Sequence, residues 1–255
     1  MREIGLVLSG GGARGVAHIG VIQALEEMGL KFCHISGTSA GAIIGALYAQ
    51  GYTPKEIFEI IQQSNILKSL RPAWTWVGLL KMDGLHQLLI KYLPDNSFAK
   101  LKIPLTVAAC DLKLGTVAYF KDGDLIPALL ASSSIPAVFH PQVIKDHMFV
   151  DGGMLDNLPV APIREQCEFV IGSHCNHISP NFDATNLKVV IERSLLMAIG
   201  ANTSTSKLMC DLVVEPPGLD KFSAFDIGKA KEIFDIGYKF TKENFNKSSF
   251  AKMVA

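Results

Sequence analysis

The chain opens on an apolar run, Ile4-Gly5-Leu6-Val7-Leu8, bounded by charged residues before it and glycines after it. Such a short, continuous apolar segment reads as a buried strand. Val16, Ile19, Ile22 and Leu25 then recur at helical spacing, which predicts a helix from Gly15 to Met28 with Gly29 as its stop. Residues 32–35 read as a second short strand, and residues 40–50 as an almost wholly apolar helix closed by Gly51. Thr53 and Glu56 are spaced as a capping box around Pro54, the signature of a helix start. Residues 71–84 show no clear period, and a helix follows over 84–93. Further strands are expected at 103–110, 116–120, 147–150, 168–172 and 211–215, and helices at 124–133, 186–208 and 227–245. Strand and helix alternate along the chain. That alternation implies an α/β protein, three layers deep (α/β/α), with a mainly parallel central sheet. No repeat or linker interrupts it, so residues 1–255 are read as a single domain.

Composition narrows the function classes. With 255 residues, 49% of them hydrophobic, the chain can bury a large core. Its 24 basic and 24 acidic residues balance, and no basic run is interleaved with aromatics, so nucleic acid is not an expected partner. No stretch approaches the roughly 20 apolar residues needed to span a bilayer. The first apolar run is too short for a secretory signal. The five cysteines, Cys33, Cys110, Cys167, Cys175 and Cys210, are odd in number and contain no C-x-x-C, which fits a reducing cytoplasm better than a disulfide framework.

Two glycine-rich turns carry the chemistry. Gly37-Thr38-Ser39-Ala40-Gly41 fits G-x-S-x-G and lies between a strand and a helix, the setting in which a sharp turn presents a serine nucleophile. Gly10-Gly11-Gly12-Ala13-Arg14-Gly15 follows the first strand and opens a helix, so its backbone N–H groups offer a seat for an oxyanion. The same run fits G-x-G-x-x-G. A dinucleotide site, however, needs an acidic residue at the end of the second strand, where this chain has His34-Ile35-Ser36-Gly37-Thr38.

A serine nucleophile needs a base, and the residues alone leave two readings open. Among the histidines, His174 and His177 follow a predicted strand and come last in chain order, as a triad histidine would. Asp151 ends the predicted strand His147-Met148-Phe149-Val150 and precedes Gly152-Gly153, which places a carboxylate at a strand end or in an ordinary Asp-Gly turn. His174, Cys175 and His177 could also be read as metal ligands, but no further ligand is spaced near them, so no metal is expected.

Taken together, the glycine run, the serine elbow and Asp151-Gly152-Gly153 resemble the patatin-like phospholipases, most nearly the small bacterial-type members. Ala131 to Pro141 (ASSSIPAVFHP) and Asn157-Leu158-Pro159 add to the likeness. The resemblance implies a serine acyl hydrolase that cleaves lipid or lysophospholipid esters with a Ser39–Asp151 dyad, an oxyanion hole built by Gly10, Gly11 and Gly12, and no cofactor. Arg14 stands where it could bind an anionic head group, or pair with a local carboxylate. Trp74, Trp76, Leu79 and Leu80 could form a flap that touches a membrane, a cap over the site or a dimer contact. The expected partner is therefore a lipid or ester substrate, with peripheral contact at a membrane surface and a cytoplasmic location. A carboxylesterase or thioesterase for small soluble esters, and an adaptor that keeps the fold but acts by binding, are the alternatives.

Overall fold

A computed structural model describes residues 3–63, 71–75, 78–178, 180, 182–184 and 187–245. An eight-stranded sheet runs in the order β10-β9-β1-β2-β5-β8-β7, with β6 also paired to β5. The strands are β1 (Ile4–Leu8), β2 (His34–Thr38), β5 (Leu105–Asp111), β6 (Thr116–Phe120), β7 (Gln142–Ile144), β8 (His147–Asp151), β9 (Phe169–Ser173) and β10 (Leu212–Val214). From β10 to β5 every neighbour is parallel; β6 and β8 join β5 antiparallel, and β7 joins β8 antiparallel. The sheet is thus mixed and mostly parallel, flanked by helices.

Side-chain alternation assigns the two faces of the sheet. Leu6, Leu8, Ile35, Phe169 and Ile171 join one large core, while Val7 and Val170 join a second with Leu158, Val160, Ile163 and Cys167. A period of two in strands buried on both sides gives this division. The larger core is filled by α1 (Val16–Glu27), α2 (Ala40–Gln50), α3 (Pro54–Gln63), α4 (Asp83–Tyr92), α5 (Leu125–Ser132) and α8 (Ala230–Asn244). The smaller receives α6 (Ala161–Arg164) and the segment after α7 (Leu187–Leu208), through Met209 and Cys210. Cys33 and Cys167, from the loops before β2 and β9, bring their sulfurs to 3.8 Å in this smaller core; all five cysteines are free thiols.

The helices predicted from periodicity appear within a few residues of their expected bounds. The capping box forms as read: the Thr53 N–H donates to Glu56 Oε2 at 2.8 Å and the Glu56 N–H to Thr53 Oγ1 at 3.3 Å. The second strand differs. It runs to Thr38, not to residue 35, because Gly37 and Thr38 keep pairing with Val107 and Ala108. Two elements escaped prediction because they are too short to carry a period, namely β7 and α6. A third, the antiparallel hairpin of β3 (Arg71–Thr75) and β4 (Gly78–Lys81), falls in the aperiodic segment. The reading of Trp74, Trp76, Leu79 and Leu80 as a flap lies outside the described residues: Trp76 is not among them, and for the other three only the backbone is described.

Helix α8 lies across α1 at backbone contact. A Cβ on Gly20 would sit 2.3 Å from the Phe234 carbonyl oxygen, and one on Gly237 would sit 2.2 Å from that of Ala17. Neither obstacle is a side chain that can swing away, so the crossing demands glycine on both helices. Gly20→Ala and Gly237→Ala are each expected to cost about 1–3 kcal/mol, as overpacking typically does. The check is a urea titration, in which the midpoint falls while the far-UV circular dichroism of the folded state is kept.

Candidate active site

The elbow is set by crowding of backbone on backbone. A Cβ on Gly41 would lie 2.3 Å from the Leu8 carbonyl oxygen and 2.6 Å from that of Ser9, so the start of α2 packs directly on the end of β1. A Cβ on Gly37 would meet Gly41 and the Ala42 nitrogen at 2.8 Å. Between these glycines Ser39 takes φ 54° and ψ −123°, a conformation that L residues rarely adopt and that costs of order 1–3 kcal/mol. Two hydrogen bonds hold it there. The Ser39 N–H donates to Ser132 Oγ at 2.8 Å, and Ser132 Oγ donates to the Ala108 carbonyl at 2.6 Å. The Ser39 carbonyl starts α2 by accepting from the Ile43 N–H at 3.1 Å. Ser39 therefore caps the N-terminus of α2, the positive end of its dipole.

Asp151 reaches Ser39 through the register of the sheet. Thr38, the last residue of β2, pairs with Ala108 of β5, and Asp151, the last of β8, pairs with Ala109. The strands run in opposite senses and end at adjacent positions. The Ser39 side chain lies close enough to the Asp151 carboxylate to lower its pKa, and that carboxylate accepts from the Gly153 N–H at 2.8 Å. Burial raises the Asp151 pKa to about 6, against the lowering effects of Ser39 and of the Gly153 N–H. A carboxylate raised this far is a better proton acceptor than an exposed aspartate.

The first glycine turn is clamped from several elements. The Gly10 N–H donates to the Asn157 carbonyl at 3.2 Å, and the Gly10 carbonyl accepts from Asn176 Nδ2 at 2.6 Å. The Ala13 N–H donates to the Ala224 carbonyl at 2.7 Å. His18 is fully buried beneath the turn. Its Nε2 donates to the Ser9 carbonyl at 2.9 Å, which makes Nδ1 the acceptor for the Ser173 hydroxyl at 2.7 Å. Burial holds the His18 pKa down, to about 4, so the ring is a neutral strut. With the Gly10 N–H engaged, Gly11 and Gly12 are the members of the run whose N–H groups have no recorded partner among the described residues. Gly12 has φ +58° and lines a cavity with Ser39.

That cavity is about 140 Å³ and its walls are almost wholly apolar: Val16, Ile43, Ile44, Ile61, Met82, Leu85, Leu88, Ile135, Phe139 and Phe225. Ser133 also lines it, with a buried hydroxyl that has no hydrogen-bond partner among the described residues. Arg14 is 2% exposed and is not among the lining residues.

His174 and His177 are directed elsewhere. His174 Nδ1 lies 2.9 Å from Glu215 Oε1, and His177 Nδ1 lies 3.8 Å from the same oxygen. Lys207 Nζ completes this cluster at 2.7 Å. Burial lowers the His174 pKa. Among the described residues no group of His, Cys, Asp and Glu converges as metal ligands would. Nothing local in the sequence marks Ser132, Asn157, Asn176 or His18 as site residues, because each takes at least one partner from a segment far away in the chain.

Comparison with known proteins adds three findings. A family model described as patatin-like phospholipase matches residues 6–163. An uncharacterized NTE family protein of Mycobacterium tuberculosis is 38% identical over 163 residues, covering 63% of this chain and 45% of the relative. Lysophospholipase NTE1 of Kluyveromyces lactis is 25% identical over 271 residues, covering 94% of this chain but 19% of the relative. The chain thus spans less than half the length of either. Among solved structures, VipD from Legionella pneumophila superposes with a TM-score of 0.54 at 16% identity, over 96% of this chain and 68% of that one, which shows a shared fold.

The raised Asp151 pKa has a cost in stability. Folded Asp151 titrates near 6 and an ordinary aspartate near 3.8. The fold therefore carries no penalty below the lower value, a growing one between the two, and the full one above pH 6. Asp151→Asn keeps the shape and an acceptor for the Gly153 N–H. It is expected to be more stable than the parent at pH 8, by about 1–3 kcal/mol, with most of that difference gone at pH 4. Denaturant titrations at the two pH values measure the difference.

Proposed function

The chain belongs to the patatin-like phospholipase family, and from that premise we propose that it is a serine hydrolase of lipid acyl esters, with Ser39 as nucleophile and Asp151 as its direct base. The observation that carries this reading is the Ser39 side chain set against the buried Asp151 carboxylate, with Ser39 in the wall of an apolar cavity. Ser39 Oγ attacks the ester carbonyl while its proton passes to Asp151. The resulting oxyanion is held by the N–H groups of Gly11 and Gly12 and by the positive end of α2. Protonated Asp151 returns the proton to the leaving alkoxide and then takes one from the water that hydrolyses the acyl-enzyme. Gly10 contributes by orienting the turn through Asn157 and Asn176, not by donating to the oxyanion.

The cavity takes the acyl chain. Its volume is close to the ~150 Å³ of an engineered apolar cavity that binds benzene, so it encloses about six carbons of the chain. Longer chains extend beyond it. Lysophospholipids and other single-chain esters fit this arrangement, and the name of the Kluyveromyces relative points the same way.

Four measurements test the mechanism. A fluorophosphonate probe is expected to label Ser39, and Ser39→Ala to lose both the label and turnover by several orders of magnitude. Labelling at another residue with full activity in Ser39→Ala overturns the assignment. With Asp151 as base, kcat/KM is expected to be flat above pH 7 and to fall about tenfold per unit below an apparent pKa near 6, because the protonated acid cannot accept the serine proton. In Asp151→Asn activity collapses, whereas His174→Ala and His177→Ala keep most of it; an equal collapse in either histidine variant replaces the dyad with a triad. Gly11→Ala would place its methyl 2.4 Å from Cys175 Sγ and turn the N–H aside. A loss of about 10²–10³ in kcat is expected, in a protein still folded by circular dichroism.

A further inference from the structure

Helix α7 (Leu187–Leu208) is the one long helix among the described residues with a broad, outward apolar face. Leu187 is 74% exposed, Ile191 52% and Met197 59%, with Val190 and Leu195 exposed beside them. At about 100° per residue these five positions fall within one half of the helix circumference. No position on that half carries a charged residue. Near its C-terminal end the helix packs on the protein, through the buried Thr203 and Ser206 and through Asn202, which falls on the same half as the apolar positions.

The helix is also joined to the turn that carries Asp151. Asn202 Nδ2 donates to the carbonyls of Gly153 and Met154 at 3.2 and 3.3 Å, and Asn202 Oδ1 accepts from the Asn157 N–H at 3.2 Å. The Gly153 N–H in turn holds the Asp151 carboxylate. The same turn exposes Met154 and Leu155, at 40% and 45%.

We propose that the outward face of α7 seats the protein on a lipid surface, lying in the interface beside the active site. The inference rests on the reading of the site as a lipid acyl hydrolase, whose substrates reside in such a surface. Among the described residues no helix is apolar enough to cross a membrane. With 22 residues α7 is about 33 Å long, but its charged positions all fall on the half opposite the apolar one, which fits a helix that lies flat. Since the face bears no cationic residue, attachment comes from apolar insertion and not from attraction to anionic lipid. Binding is therefore insensitive to salt and to lipid charge. A protein partner is the competing occupant. The link through Asn202 to the base favours lipid, because it sets the apolar face next to the group that must meet the ester.

The test uses the full chain with phosphatidylcholine vesicles. Wild type is expected to float with the vesicles equally in 0.1 M and 0.5 M salt. The double variant I191D/M197D is expected to lose binding, and hydrolysis of lysophosphatidylcholine carried in those vesicles, by about tenfold or more. Its kcat/KM for a water-soluble short-chain nitrophenyl ester should stay within about twofold of wild type. I191Q/M197Q, which adds no charge, should show the same split and guards against misfolding of the first variant. Vesicle binding unchanged in both variants, or absent in wild type, overturns the proposal. So does a wild-type dimer that the variants convert to a monomer, since the face is then a subunit contact. If wild type floats and the variants do not, yet no ester is turned over, the lipid-docking face stands and the hydrolase reading falls.

Discussion

The end of β1 and the start of α2 occupy space that no Cβ can share, and much of the site follows from that contact. With Gly41 set against the Leu8 and Ser9 carbonyls, the chain leaving β2 must turn within a single residue, and that residue is Ser39 at positive φ. The same contact brings the glycine turn after β1 alongside the N-terminus of α2. The serine proposed as nucleophile and the N–H groups of Gly11 and Gly12 therefore come together as one steric event. The energy of the strained serine is offset by its ties to Ser132 and Ile43 and by the parallel pairing of β2 on both edges.

The site also concentrates electrostatic cost. Asp151 is buried where its charged form is disfavoured, and the charged form is the one the proposed chemistry needs. His18 stays neutral under the glycine turn, acting through hydrogen bonds alone. At the far edge, burial by itself would raise the Glu215 pKa, but hydrogen bonds from His174 and Lys207 outweigh it and hold the carboxylate ionised. The two acids show how neighbours decide between a base that can change protonation near neutrality and a fixed ion that only binds its neighbours.

Legibility in the sequence followed the range of the interaction. Helices α1, α2 and α3, the capping box and the serine elbow are encoded by spacing within a dozen residues, and all could be read. The pairing of Ser39 with Asp151 depends on both strands ending at adjacent positions of β5, which no local pattern records; the strand-end placement of Asp151 made it one candidate base, and the family resemblance chose it. Gly10 shows the opposite limit. Its place in a glycine run suggested an oxyanion donor, but its N–H is taken by Asn157, a partner invisible to local reading. His174 looked available for a triad until Glu215 was found beside it. β7 and α6 are three and four residues long, shorter than the period needed to detect them.

The head-on arrival of β2 and β8 at Ala108 and Ala109 has a consequence for the life of the chain. Ser39 is made early in synthesis and Asp151 much later, and Asn176, which braces the glycine turn, later still. Contacts of such long sequence separation form late in folding, after the loop entropy between them has been overcome. A nascent or partly opened chain thus holds a serine without its base and glycines without their clamps. On the proposed mechanism, hydrolysis is a property of the completed sheet alone, and esters would be safe from the chain until it has finished folding.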